Sequence, residues 1–419
     1  METDKKGKKK LSLATKVLIG LALGIIAGIA LQGNPDIAKS YINPFGTLYL
    51  NAIKMIIVPM VFCSIVMGVC GLGDAKKLGR IGLKTIGIYM FTTALACTFG
   101  MIVANVTHVG RGMNLGEGAE MEINEAPSLL ENLVNIIPSN PIDAMASGNM
   151  LQIIAFALFI GAGIIMVGKK AEPVAAFLDG FAEIMYKITG WIMEFTPYGV
   201  FALMTTTIAT NGLDVLLPLL KFVLTCYLAF LVHLVITYCG GITVFLKKNP
   251  ITFIKEAWDA IIVSFTTCSS SATLPVTMNC AKRMGVTLPV RSFTLPLGAT
   301  INMDGSAIYQ CVTAMFVANL FGIDLSINQQ LLIIITALLA SIGTAGVAGA
   351  SIIMLGTVLT SVGLPIEGIA IVVGVDKLID MPRTSMNIIG DLMCCSIVAK
   401  SEGELSHEKV ALEDEEEAA

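Results

Sequence analysis

The feature that most constrains this chain is a polar stretch inside an apolar run near its end. Residues 376–391 read DKLIDMPRTSMNIIGD, with IEGIAIVVGV before them and LMCCSIVAK after. On an α-helix successive residues advance by about 100°, which gathers Asp376, Asp380, Arg383, Thr384, Asn387 and Asp391 into an arc of roughly 100°. The other faces are mostly Ile, Leu, Met and Val. A salt-bridged helix in a large soluble core would also show such a face, and composition decides against it. Of the 419 residues, 55% are hydrophobic and 14% charged, where soluble domains carry about 25% charged residues. Ionisable groups at membrane depth are costly and mark ion and substrate paths.

The chain thus reads as an all-α polytopic membrane protein lying in a lipid bilayer. Its first apolar run, residues 11–31, follows Lys5, Lys6, Lys8, Lys9 and Lys10. That resembles a signal peptide, but the run is long enough to span and more spans follow, so a retained first helix is expected. Helices are predicted over about 11–32, 45–72, 82–108, 174–210 and 214–246, with a broken helical region over 127–168. A loop with Glu117, Glu120, Glu122, Glu125 and Glu131 follows the third helix. The N-terminal lysines, Lys76, Lys77 and Arg80, Lys169 and Lys170, and Lys247 and Lys248 fall on one side. By the positive-inside rule that side is the cytoplasm and the Glu-rich loop lies outside. The acidic tail, Glu413 to Glu417, is expected to be solvated and disordered. The ten Cys form no CxxC pair or zinc spacing and read as small membrane residues. Lys54 is expected to snorkel, and His108 and His233 to be packed or hydrogen-bonded.

From residue 250 the pattern changes. Two short apolar limbs flank the tip TTCSSS at 266–271, and two more flank the Gly- and Ala-rich tip at 341–351. None is long enough to cross a core of about 30 Å at 1.5 Å per residue. Two re-entrant helical hairpins of opposite entry are predicted, their tips buried in protein or water. Each is followed by a full helix with a polar motif, Asn302-Met-Asp-Gly-Ser306 in one case and the opening stretch in the other. Such repetition suggests an inverted repeat with a transporter site at its centre.

The buried charges do not balance. Asp304, Asp376, Asp380 and Asp391 give −4, and Arg383, with or without Lys377, returns one or two positive charges. The remainder calls for bound cations or protonated carboxylates. Carboxylates, amide oxygens and carbonyls freed at helix breaks suit alkali ions, and nothing clusters as a transition-metal site. Arg383 offers a planar fork for a carboxylate and Asp380 a partner for an amine, unless the two pair internally at i, i+3. The Ser-rich tip could hold a carboxylate at a half-helix N-terminus, although a Ser run is also ordinary turn chemistry. No GxxxxGK[ST], GxSxG or HExxH motif is present, so neither an enzyme nor a nucleotide-driven pump is expected. Nucleic acid is not an expected partner.

Four ordered motifs carry a resemblance: Ser269-Ser-Ser271 with TLPVT, Asn302-Met-Asp-Gly, the SIGTAG tip, and Asp380-x-x-Arg-Thr-x-x-Asn-x-x-x-Asp391. From the first helix to Lys400, the chain resembles the dicarboxylate/amino acid:cation symporter family, the glutamate transporter homologues, and is similar to its archaeal sodium/aspartate symporters. The resemblance implies a homotrimer of elevator-type transporters with eight transmembrane helices plus two re-entrant hairpins. It implies a cytoplasmic basic N-terminus at 1–10, a trimerisation scaffold at 11–72 and 127–210 (helices 1, 2, 4 and 5), and a transport domain at 82–108 and 214–400. Residues 401–419 would form an acidic cytoplasmic tail. It also implies that Asp380 takes the substrate amine and Arg383 its side-chain carboxylate. Asn387 and the Ser270 backbone would hold the α-carboxylate, with Thr384 and Ser306 adding contacts, and the region from Val347 to Ser351 would gate the site. Two to three Na+ ions are implied. One would use Asp391 with carbonyls of Gly298, Asn302 and Asn387. Another would use carbonyls of Thr300, Ser341, Ile342 and Thr344, near Met303. A third would use Tyr89, Thr92, Thr93, Asn302 and Asp304.

The chain departs from the family pattern at Val347-Ala-Gly, where Pro commonly follows this Val, and at Ser351, Cys268, Pro382 and Lys377. The function implied is sodium-coupled symport of aspartate or glutamate. Cystine or a polar neutral amino acid, a C4-dicarboxylate and proton coupling are the alternatives within the family. An ion channel is the alternative from another class, since channels also use re-entrant segments. Arg383 argues against small neutral substrates and Asp380 against dicarboxylates lacking an amine.

Overall fold

A run of apolar residues must satisfy its backbone internally, and the chain does so almost entirely with helices. The structure is a computed structural model and describes residues 13–77, 79–111, 137–213, 216–342, 344, 346–347 and 349–418. The basic N-terminus and the Glu-rich loop lie outside the described residues. No strand occurs among the described residues, only an isolated bridge between Val286 and Leu405. Among the described residues four stretches are long and apolar enough to cross a membrane: Pro35–Cys70, Arg80–Thr107, Gln152–Glu194 and Leu216–Leu246.

The elements that position the site are α1 (Leu13–Leu31), α2 (Asn43–Lys77), α3 (Arg80–Thr107), α4 (Met150–Val167), α5 (Glu172–Glu194), α6 (Thr196–Asn211) and α7 (Leu216–His233). After α7 the chain continues through two π-helical turns, Leu234–Cys239 and Ile242–Leu246. Then come α8 (Trp258–Thr267), α9 (Ser270–Arg283), α10 (Leu288–Ile301), α11 (Asp304–Leu320), α12 (Ile327–Ser341), α13 (Ala350–Ser361), α14 (Gly368–Glu402) and α15 (His407–Ala418).

Both predicted hairpins are helical hairpins. α8 and α9 pack on each other around a tip at Cys268, whose φ of 54° reverses the chain, and Ser269 caps α9 by accepting from Ala272 N at 3.2 Å. α12 and α13 pack likewise, with Gly349 left-handed at φ 85° just before α13. The limbs are 10, 14, 15 and 12 residues long, or at most roughly 23 Å at 1.5 Å per residue.

Three expectations change. The helix predicted over 174–210 is two helices, α5 and α6, meeting at Phe195. Pro197 lies in the first turn of α6, where its missing N–H costs nothing, whereas inside a continuous helix it would break the ladder. The Tyr49 hydroxyl meets the Thr196 hydroxyl at 3.0 Å and fixes this corner. Lys54 pairs with Glu367 at 2.8 Å rather than reaching for solvent alone. The acidic tail, expected to be disordered, is helical in α15. Ser406 accepts from Lys409 N, Lys409 pairs with Glu404 at 2.9 Å, and Val410 is buried. The tail's start is tied to the loop after α9 by Ser406 N to Gly285 O (2.7 Å) and Thr287 N to Glu404 O (3.1 Å).

Helices α1, α2, α4, α5 and α6 pack among themselves, and α3, α7 and α8 to α14 do the same. α14 is buried along most of its length and touches α3, α7, α8, α10 and α11. The two groups meet where α3, α10 and α13 touch α2, where α12 and α13 touch α4, and where α14 lies on α1 and α6. Within the first group the stripe Gly20, Gly24 and Gly28 of α1 lets its backbone close on α6. A Cβ at Gly24 would stand 2.9 Å from Phe201 O, and one at Gly28 2.6 Å from Ile208 Cβ. Gly24→Leu is therefore expected to cost about 1–3 kcal/mol by overpacking. The check is the thermal unfolding midpoint in detergent against Gly33→Ala, which meets nothing within 4 Å. Equal midpoints would contradict the close packing.

Candidate functional site

The site is built on a broken helix. α10 stops at Ile301 and α11 starts at Asp304. Between them Asn302 (φ −88°, ψ 80°) and Met303 (φ −111°, ψ 46°) are not helical, and both are buried. A helix end leaves its last carbonyls without helical donors, here deep inside the protein. Gly305 sits just after the break because a side chain there would collide with the Arg383 carbonyl of α14. The close approach lets Gly305 N donate to Asn387 Oδ1 at 2.8 Å.

Around this break the structure places two clusters. In the first, Arg383 is buried and donates to Asp380 Oδ1 at 2.6 Å and to Asp376 Oδ1 at 3.2 Å, with its guanidinium 4.5 Å from the centre of the Tyr309 ring. Lys377 Nζ lies 3.5 Å from Asp380 Oδ2, and the Thr384 hydroxyl donates to the Asp380 carbonyl at 2.8 Å. Two carboxylates against two cations make this quartet formally neutral. A cavity of about 30 Å³ borders it, lined in part by Met193, Thr196, Gly349, Asp376, Lys377 and Asp380. That is room for one or two waters.

The second cluster holds buried oxygens with no such balance. Thr93 Oγ1 lies 2.6 Å from Asp304 Oδ1 and 2.8 Å from the Tyr89 carbonyl, with one hydrogen between the two, and Thr92 donates to the same carbonyl at 3.1 Å. Asp391 Oδ1 accepts from Asn302 Nδ2 at 2.8 Å. A Cβ at Gly298 would run into both Asp391 Oδ1 and the Tyr89 hydroxyl, so these groups crowd one spot. Asn302 Oδ1 is buried with no hydrogen-bond donor. Among the described residues no lysine or arginine pairs with Asp304 or Asp391. Two carboxylates, an orphan amide oxygen and nearby carbonyls form a hard-oxygen set that fits an alkali cation. No group of three His, Cys, Asp or Glu of the kind that holds a transition metal occurs among the described residues.

The other predicted positions fall as follows. Ser270 is buried at the first tip, and its neighbours latch the two tips: Ser269 Oγ donates to Gly346 O at 2.7 Å and Ser271 N to the same oxygen at 3.0 Å. Ser306 and Ser351 hydroxyls meet at 2.8 Å, joining α11 to α13. Asn387 Nδ2 donates to Met303 Sδ at 3.1 Å, and the Asn387 carbonyl accepts from Asn302 Nδ2 at 3.3 Å. Val347 is half-buried. The Thr300 hydroxyl is exposed and bonds back to Leu297 O, and the Ser341 and Thr344 hydroxyls bond to Leu338 O and Ala340 O. The Ile342 carbonyl faces Gly68 of α2, where a Cβ would stand 2.5 Å away. Sequence reasoning missed Tyr309 and Tyr238 as partners of these clusters and left His233 without a partner. Nothing in the spacing of an apolar run marks which aromatic faces inward.

A model of the sodium:dicarboxylate symporter family matches residues 13–401. The chain belongs to that family. A proton/sodium-glutamate symport protein of Bacillus caldotenax is 38% identical over 410 residues, covering 96% of this chain and 97% of the relative. A proton/glutamate-aspartate symporter of Escherichia coli (strain K12) is 35% identical over 416 residues, with 96% and 95% covered. A C4-dicarboxylate transport protein of Bacillus subtilis (strain 168) is 34% identical over 408 residues, with 95% of each covered. These relatives are transporters rather than enzymes, in keeping with the several long apolar helices of a multi-pass membrane protein.

The quartet yields a test. Asp376→Ala removes one of the two acceptors of the Arg383 guanidinium, and breaking a buried pair costs about 3–5 kcal/mol. A lower unfolding midpoint in detergent is expected. A midpoint equal to the wild type would mean that Asp380 alone holds the arginine.

Proposed function

We propose that this protein is a secondary active symporter that takes up an acidic amino acid, aspartate or glutamate, through the cell membrane with sodium. The observation that carries the reading is the pairing of one buried guanidinium with one buried carboxylate, Arg383 with Asp380 at 2.6 Å, beside a separate cluster of uncompensated oxygens. An amino acid brings both partners these groups need. Its side-chain carboxylate would take the Arg383 fork and its ammonium would take Asp380. Asn387 and the backbone of Ser270 would receive the α-carboxylate, with Thr384 and Ser306 adding contacts. The charge of Asp304 and Asp391 would be met by two to three sodium ions on the three oxygen sets assigned by resemblance. The glutamate and glutamate-aspartate symporters among the relatives support this substrate class.

In the same reading α1, α2 and α4 to α6 form a trimerisation scaffold, and α3 with α7 to α14 moves against it as an elevator. The clustering of helices into two groups supports that division. The termini would face the cytoplasm.

A C4-dicarboxylate is the second reading. It is favoured by Lys377, which lies against Asp380 and could stand in for the amine such a substrate lacks. The C4-dicarboxylate carrier among the relatives agrees with it.

Uptake by the purified protein in liposomes decides, with aspartate, glutamate, cystine and succinate as competitors. Saturable uptake of aspartate or glutamate that requires an inward sodium gradient is expected. Uptake indifferent to sodium would sink the coupling, and a steady current without substrate would indicate a channel. Arg383→Ala is expected to abolish binding of acidic substrates while leaving sodium binding measurable, and unchanged aspartate affinity would remove Arg383 from the role given it. Asp304→Asn is expected to weaken sodium dependence, as read in a sodium titration of thermal stability. An unmoved titration would refute its place in a cation site.

A further inference from the structure

The carboxylate of Asp304 is held by two side chains from outside the elements that supply its own motif. The Tyr238 hydroxyl donates to Oδ2 at 2.9 Å, and His233 Nε2 lies 3.1 Å from the same oxygen. A carboxylate oxygen accepts, so Nε2 carries a proton toward Asp304, and Nδ1 lies 3.1 Å from Thr237 Oγ1. These two contacts fix the orientation of the imidazole. It stands edge-on to the Tyr238 ring, their centroids 4.7 Å apart, and both side chains are fully buried.

The backbone is shaped to allow this. Residues five apart on an α-helix lie about 140° from each other, so His233 and Tyr238 could not reach one oxygen from a regular helix. The segment between them, Leu234–Cys239, is instead π-helical. Closing the turn from i to i+5 brings the fifth residue back toward the line of the first, and such turns concentrate at functional sites. The facing helix makes room as well. A Cβ at Gly390 of α14 would stand 2.5 Å from the Tyr238 hydroxyl and 2.7 Å from Asn302 Nδ2.

We propose that His233 and Tyr238 are positioning residues of the cation site at Asp304. They anchor Oδ2, and so aim Oδ1 into the space shared with Thr93 and the Tyr89 carbonyl. The Tyr238 hydroxyl is a neutral donor, so it orients the carboxylate without cancelling the charge that a cation meets. This rests on the cation coupling proposed above and adds two residues outside the sets implied by resemblance.

The test uses full-length protein carrying Tyr238→Phe, His233→Leu or His233→Gln. Sodium chloride is titrated without substrate while thermal stability in detergent is read, and substrate KM is measured in liposomes at saturating sodium. Loss of a hydrogen bond to a charged group predicts a rise of about tenfold in the sodium concentration for half-maximal stabilisation in Tyr238→Phe and His233→Leu. KM at saturating sodium stays near the wild-type value. His233→Gln, which keeps an amide donor, recovers part of the loss, as a purely packing role would not predict.

If sodium stabilises the wild type and all variants alike, the positioning role falls and the coupling stands. The role also falls if KM shifts as far as the sodium midpoint, or if Gln does no better than Leu. If sodium leaves even the wild type unmoved, the coupling falls and this role with it.

Discussion

A helix interrupted at Asn302 and Met303 in the interior is the constraint on which the rest of the site depends. An interrupted helix in apolar surroundings exposes backbone groups that must find partners. α14 supplies one for Gly305 N, in Asn387 Oδ1, and also takes the Asn302 side-chain amide on Asp391 and the Asn387 carbonyl. The absence of a side chain at Gly305 lets α11 close on α14, and its absence at Gly390 makes room for Asn302 and Tyr238. The two motifs that stand out in the sequence are therefore the two sides of one joint.

Charge separates the two clusters beside that joint. The quartet of Asp376, Lys377, Asp380 and Arg383 is neutral as it stands, so it can rest closed with its own partners. Asp304 and Asp391 have no lysine or arginine partner among the described residues, and their hydrogen bonds come from Thr93, Tyr238, His233 and Asn302. Neutral donors lower the cost of a buried carboxylate without removing its charge. On the proposed reading, the first cluster would exchange internal ion pairs for a ligand, while the second would acquire a cation.

Much of this was legible in the chain because polar residues are scarce in it. Each motif in residues 266–391 interrupts an apolar background, so the hairpins, the break before Asp304 and the polar face of α14 stood out. The split between α5 and α6 was not legible from periodicity. Pro197 breaks a continuous helix yet is tolerated in a first turn, and choosing between these needs the Tyr49 to Thr196 contact. The helical tail was hidden because its acidity suggested solvation, whereas its docking runs through Ser406 and Val410. The role of His233 was invisible for a geometric reason. Spacing rules assume a regular helix, and residues 233 and 238 share a face only across a π turn. The internal Arg383 to Asp380 pair was foreseen as one alternative, but the hold of Asp376 on the same guanidinium was not.

If the proposed reading holds, coupling between cation and substrate has a short physical path. Asn387 touches both sides: its carbonyl and amide meet Asn302 and Met303 at the break, and it follows Arg383 by one helical turn on α14. A cation drawn to Asp391 and Asn302 would pull the orphan Asn302 Oδ1 into its shell and fix the non-helical turn. That turn also sets where Met303 and Asn387 stand, and hence what a substrate near Arg383 meets. The nitrogen of the same amide bonds both Asp391 and the Asn387 carbonyl, so binding energy from the ion would be spent in ordering the place where the substrate binds.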